Sequence, residues 1–438
     1  MSPVPAPSPA PSTDAGAADP VLGPWLKGFP PAAAPVTASQ IGRHGWNVLR
    51  GDLPFPLALL RRDAVGHNIA WMQDFARERG VDLAPHGKTT MSPQLFRRQL
   101  DAGAWGITVA SVFQLRLAVS AGTRRVIIAN QVLAAPDLDG LAAMLTQTPD
   151  LRVVFLVDSV AQLRLVEAWH RGQARPPVFE VLLEVGVPGG RTGVRGADDA
   201  LVVARALHAS PAVRLVGLEC YEGLGVSGDS SADRASATAL MDRVEALALV
   251  CDAEGLIETD EVIVSAGGSA IFDLVAGRLK PALTRPVRGL LRSGCYVTHD
   301  HGHYRRLVQQ VVERCGCAEG LRPALEVWAA VQSTPEPGLA LLTAGRRDLS
   351  FDIEMPMPVA VAREGRLLPL PAGALGRIKG LNDQHAHWMP TADGAWTPRV
   401  GDLVALGISH PCTTFDKWHW MPEVDEAYDV VGAVTTQF

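Results

Sequence analysis

From about residue 55 the chain repeats one rhythm: a short apolar run, an amphipathic stretch, then another apolar run, at intervals of about 20–45 residues. The runs include Pro56–Leu60, Gly106–Ala110, Arg125–Asn130, Arg152–Val157, Phe179–Val185, Leu215–Glu219 and Glu261–Ser265. They are nearly continuous in Val, Ile and Leu, which marks strands covered on both faces, as in parallel sheets. Helix-period segments separate them. Ser92-Pro93 reads as a cap with proline in the first turn, leading into Leu95, Phe96 and Leu100. Val160–Trp169 and Val202–Leu207 are similar. This alternation predicts an α/β fold, a (β/α)8 TIM-type barrel, with a doubly wound open sheet as the competitor.

After about residue 305 the helical stretches stop. Ala324–Val331, Val359–Ala362, Asp402–Leu406 and Tyr428–Val434 read as short strands punctuated by Gly and Pro. A smaller all-β C-terminal domain is therefore expected after the barrel. The expected division is 1–45 as tail and lead-in, 46–305 as barrel and 306–438 as β domain. The opening Pro/Ala/Ser stretch, to about Pro20, cannot bury enough surface to fold and is expected to be disordered.

Bulk properties remove several function classes. The net charge of −6, from 40 basic and 46 acidic side chains, offers no basic stripe to a nucleic acid or an anionic membrane. No apolar run approaches the roughly eighteen residues of a membrane span. The N-terminus lacks the basic and apolar regions of a secretory signal. Six cysteines, at 220, 251, 295, 315, 317 and 412, are too sparse for a disulfide framework and predict reduced thiols in a cytoplasmic protein. Cys315-Gly316-Cys317 is too close-spaced and isolated for a metal site and reads as structural.

Three segments carry chemistry. In Val81–Thr90, Gly87-Lys88-Thr89 invites comparison with a nucleotide-binding P-loop, but that motif needs glycine five residues before Gly87, where Asp82 stands. What remains is Lys88 at the end of a strand, opening toward a helix near Ser92. In a barrel that is the catalytic face, where a desolvated lysine can form an imine with an aldehyde. A solvated surface lysine is the plainer alternative. Two Gly/Ser clusters, Ser265–Ser269 and Ser293–Tyr296, follow late strands, where barrels commonly bind phosphate through backbone amides and hydroxyls. Either alone could be an ordinary turn. Finally, His410 and Cys412 offer an imidazole and a thiolate, an incomplete pair of Zn²⁺ ligands of the kind a catalytic metal keeps open; a buried structural cysteine beside a satisfied histidine is the plainer alternative. Asn382–His387 adds His385 and His387 as acid/base or supporting groups.

Taken together, these segments resemble the D-serine dehydratase and D-threonine aldolase family, fold-type III pyridoxal-phosphate enzymes related to alanine racemase. The resemblance runs from about residue 50 to the C-terminus. It is carried in order by Pro85-His86-Gly87-Lys88-Thr89, Asp101–Ala110, Ile128–Val132, Gly190-Arg191-Thr192-Gly193, Ala266–Ser269 and His410-Pro411-Cys412. Thr90 stands where the family usually has histidine. The resemblance implies that Lys88 holds pyridoxal 5'-phosphate as a Schiff base, with His86, Arg191 and Tyr221 around it and Gly267, Gly268, Ser269, Gly294, Cys295 and Tyr296 holding the phosphate. In the dehydratase branch the metal pair looks like His-x-Cys with zinc; in the aldolase branch it looks like His-x-Asp with a harder metal. Cys412 points to the first.

The expected reaction is loss of water and ammonia from a small-molecule D-3-hydroxy amino acid, giving a 2-keto acid. Lys88 would take the α-proton, and Zn²⁺ on His410 and Cys412 would assist departure of the β-hydroxyl. The first rival is aldol cleavage to glycine and an aldehyde, with His385 or His387 as base. A non-catalytic cofactor carrier and a cofactor-free lysine aldolase are the others. A homodimer is implied by the resemblance only.

Overall fold

The computed structural model describes residues 19–370, 372–391 and 396–438. The tail expected to be disordered lies, to residue 18, outside the described residues. The first apolar run forms β1 (Leu57–Arg61), and helix α1 (Arg62–Glu78) follows directly. The next eight strands are β2 (Asp82–Leu83), β3 (Ile107–Val109), β4 (Arg125–Gln131), β5 (Arg152–Val157), β6 (Phe179–Val185), β7 (Val213–Cys220), β8 (Val262–Ala266) and β9 (Val287–Leu291). All pair in parallel, in the order β2-β9-β8-β7-β6-β5-β4-β3. The ring closes where β2 runs on: the Trp105 and Thr108 amides donate to the Leu83 and Pro85 carbonyls at 2.7 and 2.8 Å, and His86 bridges Thr108.

The continuous apolar runs follow from burial on two faces. Ala84, Ile127, Val154, Leu156, Leu182, Val216, Ile263 and Leu290 pack together as one cluster filling the barrel. Their neighbours Val126, Val153, Phe155, Val181, Leu183, Val262 and Val264 belong to the larger core shared with the helices. A period of two with apolar residues in both phases erases the alternation of a one-faced strand.

The first run is a correction. β1 leaves the barrel and pairs antiparallel with Leu325–Trp328 and parallel with Glu423–Val424. A run buried on both faces suits the centre of a mixed sheet as well as a barrel, so periodicity could not assign it. That sheet is built on the long strand β10 (Leu325–Glu336), with β11 (Leu339–Leu342), β12 (Met357–Arg363), β13 (Arg377–Leu381), β14 (Ala386–Met389), β15 (Leu403–Gly407), β16 (Trp420–Val424) and β17 (Val430–Thr435). The four runs read as strands are β10, β12, β15 and β17. No helix among the described residues is long and apolar enough to cross a membrane.

One ion cluster ties the sheet to the barrel beside Lys88. Helix α2 (Pro93–Asp101) starts at the proline read as its first residue, and its Arg98 donates from both terminal nitrogens to the Glu423 carboxylate on β16 at 2.5 Å. Arg62 on α1 reaches the same group at 3.3 Å, and Glu423 is fully buried. The carboxylate is buried, but Arg98 and Arg62 keep 34% and 44% of their side chains exposed, so both guanidiniums can turn to water when it is removed. Glu423→Ala is therefore expected to lower stability by about 2 kcal/mol, the loss of its charge-assisted hydrogen bonds, read as a drop in the urea midpoint.

Candidate active site

The C-terminal ends of the barrel strands surround a cavity of about 250 Å³. Lys88 enters it from a single 3-10 turn, Gly87–Thr89, between β2 and α2. Of the five lysines in the chain it is the one that lines this cavity. Its side chain has no hydrogen bond or ion pair to any described residue and is exposed at the open mouth. Two residues earlier, the buried Nδ1 of His86 has no partner. Burial first, then the charges of Lys88, Arg292 and Arg191, push the His86 pKa well below the usual histidine value, so its ring is neutral.

The loop after β9 packs directly on this turn. A side-chain carbon at Gly294 would lie 2.7 Å from the His86 carbonyl oxygen and 2.6 Å from Thr89 Oγ1, so only glycine allows the approach. That contact sets Ser293–Cys295 against Lys88. The amides of Gly294 and Cys295 donate weakly, at 3.4 and 3.3 Å, to Ser269 Oγ. These two amides and the hydroxyl form a loosely satisfied donor cluster on the cavity wall, which suits a phosphate group.

Of the other expected phosphate contacts, two line the cavity with their amides engaged and one lies outside it. The amides of Gly267 and Gly268 donate to the buried carboxylate of Glu222 at 3.0 and 2.6 Å, so these donors are already taken although both glycines line the cavity. Tyr296 is outside the lining: it is 2% exposed, and its hydroxyl accepts from Gln99 Nε2 at 2.9 Å. Successive side chains of a 3-10 turn point about 120° apart, which carries its ring away from the wall that Gly294 and Cys295 form.

The cavity floor is polar and buried. Arg292 donates to Glu219 Oε2 at 2.6 Å, to Ser265 Oγ at 2.5 Å and to the Cys220 carbonyl at 3.0 Å. Burial pushes the Glu219 pKa up to about 7, with Arg292 opposing and the nearby Glu184 adding to the rise. Glu184 accepts from Thr192 Oγ1 at 2.6 Å and from Gln131 Nε2. Arg191 lies over the ring of Tyr221, 4.9 Å from its centre, and both line the cavity.

His410 and Cys412, from the β sheet's loop after β15, complete the wall opposite. Asp352 Oδ2 accepts from His410 Nδ1 at 2.5 Å, and the Cys412 thiol meets Thr89 Oγ1 at 3.4 Å, next to Lys88. A carboxylate behind one ring nitrogen is the support a metal-ligating histidine usually has, and it leaves Nε2 for the metal. Among the described residues no three His, Cys, Asp or Glu side chains form a complete cage. The donor set fits a zinc ion held by two protein ligands with positions left open. Likewise the free amine of Lys88, the orphaned His86 nitrogen and the Ser269 cluster fit pyridoxal 5'-phosphate.

Charge on this pair gives a pH dependence. Burial opposes protonation of His410, but the Cys412 sulfur and the Asp352 carboxylate outweigh it and raise the pKa to about 9. The Cys295 thiol, then His410 and Thr89, hold Cys412 well below its usual value against the effect of burial. At neutral pH the imidazole still carries the proton that a metal must displace. Zinc affinity of the metal-free protein is expected to rise about tenfold per pH unit up to about pH 9, then level off. Competition with a chromophoric chelator measures this.

The remaining candidate, His385, is exposed in the turn between β13 and β14, and His387 is bonded to Asn382 Oδ1 at 2.8 Å; neither lines the cavity. The lining residues missed from sequence include Glu184, Glu219, Arg292 and Tyr304. Glu184 and Glu219 had a signal, being charged residues at the C-terminal ends of apolar runs. Asp352, 58 residues from its histidine, had none.

The chain has recognisable relatives. A family model described as "Putative serine dehydratase domain" matches residues 324–424. D-threo-3-hydroxyaspartate dehydratase of Delftia sp. (strain HT23) is 30% identical over 390 residues, 83% of this chain and 92% of that protein. D-threonine aldolase of Arthrobacter sp. is 30% identical over 357 residues, 80% of this chain and 83% of that protein. In fold, the crystal structure of D-threonine aldolase from Filomicrobium marinum matches with a TM-score of 0.74 at 24% identity, over 90% of this chain and 96% of that one.

Proposed function

Because the chain belongs to the fold-type III pyridoxal-phosphate family that includes D-threonine aldolase and D-threo-3-hydroxyaspartate dehydratase, we propose that it is a lyase that removes water and ammonia from a D-3-hydroxy amino acid, such as D-serine or D-threonine, to leave a 2-keto acid. The observation that carries this reading is the placement of His410 and Cys412 in one cavity with Lys88. Bound there, the cofactor supplies an electron sink for charge at Cα, and a zinc ion supplies a Lewis acid for the departing β-oxygen.

The chain's own groups have separable tasks. Lys88 Nζ would hold the cofactor covalently at rest and carry the α-proton during turnover, since no other lysine reaches the cavity. Ser269 Oγ and the amides of Gly294 and Cys295 would hold the phosphate. Arg191, kept over Tyr221, would face the ring of the cofactor, and the Arg292–Glu219 pair fixes the floor beneath it. His410, aligned by Asp352, and Cys412 would hold the metal toward the substrate's β-carbon. A homodimer and a cytoplasmic location complete the proposal.

Aldol cleavage is the second reading, favoured by the equal 30% identity to the Arthrobacter D-threonine aldolase. It needs a base at the β-hydroxyl, and neither His385 nor His387 lines this chain's cavity. Incubation with D- and L-serine, D-threonine and D-threo-3-hydroxyaspartate, with pyridoxal 5'-phosphate and Zn²⁺ present, separates the readings. Ammonia and keto acid from the D-isomers are expected. Glycine and an aldehyde in their place would replace the first reading with the second.

A further inference from the structure

Cys295 and Cys412 face one another in the cavity wall, with their sulfur atoms 3.7 Å apart. They come from different parts of the fold: Cys295 opens the short turn after β9, and Cys412 opens the four-residue helix Cys412–Phe415 that follows β15. Thr89 Oγ1 touches both, at 3.9 Å from Cys295 and 3.4 Å from Cys412. The other cysteines are placed differently. Cys220 and Cys251 are fully buried in the core, and Cys315 lies beside Arg79. All six are free thiols.

We propose that Cys295 and Cys412 are a reversible oxidation site, closing to a disulfide when a small hydroperoxide enters the cavity. The sulfurs need to approach by about 1.7 Å to reach bonding distance, a movement within reach of rotation about the two Cα–Cβ bonds and a small shift of either loop. The Cys412 sulfur attacks one peroxide oxygen and becomes a sulfenic acid as the O–O bond breaks and the other oxygen leaves as water with the Cys412 proton. The Cys295 sulfur then attacks the sulfenic sulfur, the S–O bond breaks, and the second oxygen leaves as water with the Cys295 proton. Two thiols supply two electrons, and one hydrogen peroxide becomes two waters. The product links the barrel loop to the β sheet and withdraws the Cys412 sulfur from any metal. None of this depends on which amino acid, if any, the protein turns over.

The test is chemical and uses the full chain. Protein stripped with a chelator is treated with one to a few equivalents of hydrogen peroxide, and thiols are counted after unfolding. The count is expected to fall from six to four and to return to six with dithiothreitol. Non-reducing tryptic mapping is expected to yield the peptides 293–305 and 400–417 joined through Cys295 and Cys412. In Cys295→Ser the joined peptide is absent and Cys412 is instead carried on to sulfinic acid. Retention of all six thiols in the native sequence, oxidation of Cys412 alone, or a link confined to other cysteines would each overturn the proposal. Because the native chain is mapped directly, the outcome is decided even where Cys295→Ser fails to fold.

Discussion

Cys412→Ala is expected to reduce keto-acid formation from a D-3-hydroxy amino acid by about 10³-fold, equivalent to about 4 kcal/mol of lost transition-state stabilisation. Hydroxide is a poor leaving group at neutral pH, and under the proposed dehydratase reading its departure would rest on a Lewis acid held by His410 and Cys412. With the thiolate gone, one imidazole remains to hold the metal, and zinc content measured by mass spectrometry should fall with activity. Cofactor absorbance should persist, because Ser269, Gly294 and Lys88 are untouched. Cys412→Asp is the informative companion. It supplies a harder donor at the same place, so activity recovered with Mn²⁺ rather than Zn²⁺ would identify the lost function as metal binding. Full activity of Cys412→Ala in the presence of chelator would remove the metal from the reaction.

Lys88→Ala should be the most damaging substitution for turnover and one of the mildest for folding. Lys88 has no hydrogen bond or ion pair to any described residue, so stability should stay within about 0.5 kcal/mol of the parent. Turnover should fall by about 10⁴-fold, because positioned proton transfer alone contributes about 10²–10⁴. The absorbance of covalently held cofactor should vanish, and Lys88→Arg should fail equally, since it keeps the charge but not the nucleophile. Retained turnover in Lys88→Ala with unchanged absorbance would move both roles to another residue.

The barrel was legible because its strands bury two apolar faces and its helices keep a helical period between them. Ile127 and Val126 point opposite ways and are both buried, so the sequence carries a run rather than an alternation. The same property hid the fate of Leu57–Leu60, which is equally buried in a different sheet. In the site, Lys88, His410 and Cys412 were readable as chemistry and the resemblance added His86, Arg191 and Tyr221; the structure brings all six around one cavity. What sequence could not carry was competition for donors. Nothing in Glu219–Gly223 announces that Glu222 will occupy the amides of Gly267 and Gly268. Nor does local sequence reveal that Tyr296 turns inward to Gln99, or that Asp352 stands behind His410. Each is a contact between segments far apart in the chain, fixed by packing rather than by local pattern.

Every role assigned to the cavity presupposes that the Lys88 amine carries the cofactor. Holoprotein reduced with borohydride, digested with trypsin and mapped by mass spectrometry tests this most directly. The reduced pyridoxyl phosphate mass is expected on a peptide spanning residues 80–97, with cleavage after Lys88 blocked. Label on Lys27, Lys280, Lys379 or Lys417 instead, or a fully active preparation that takes up no label, would contradict it.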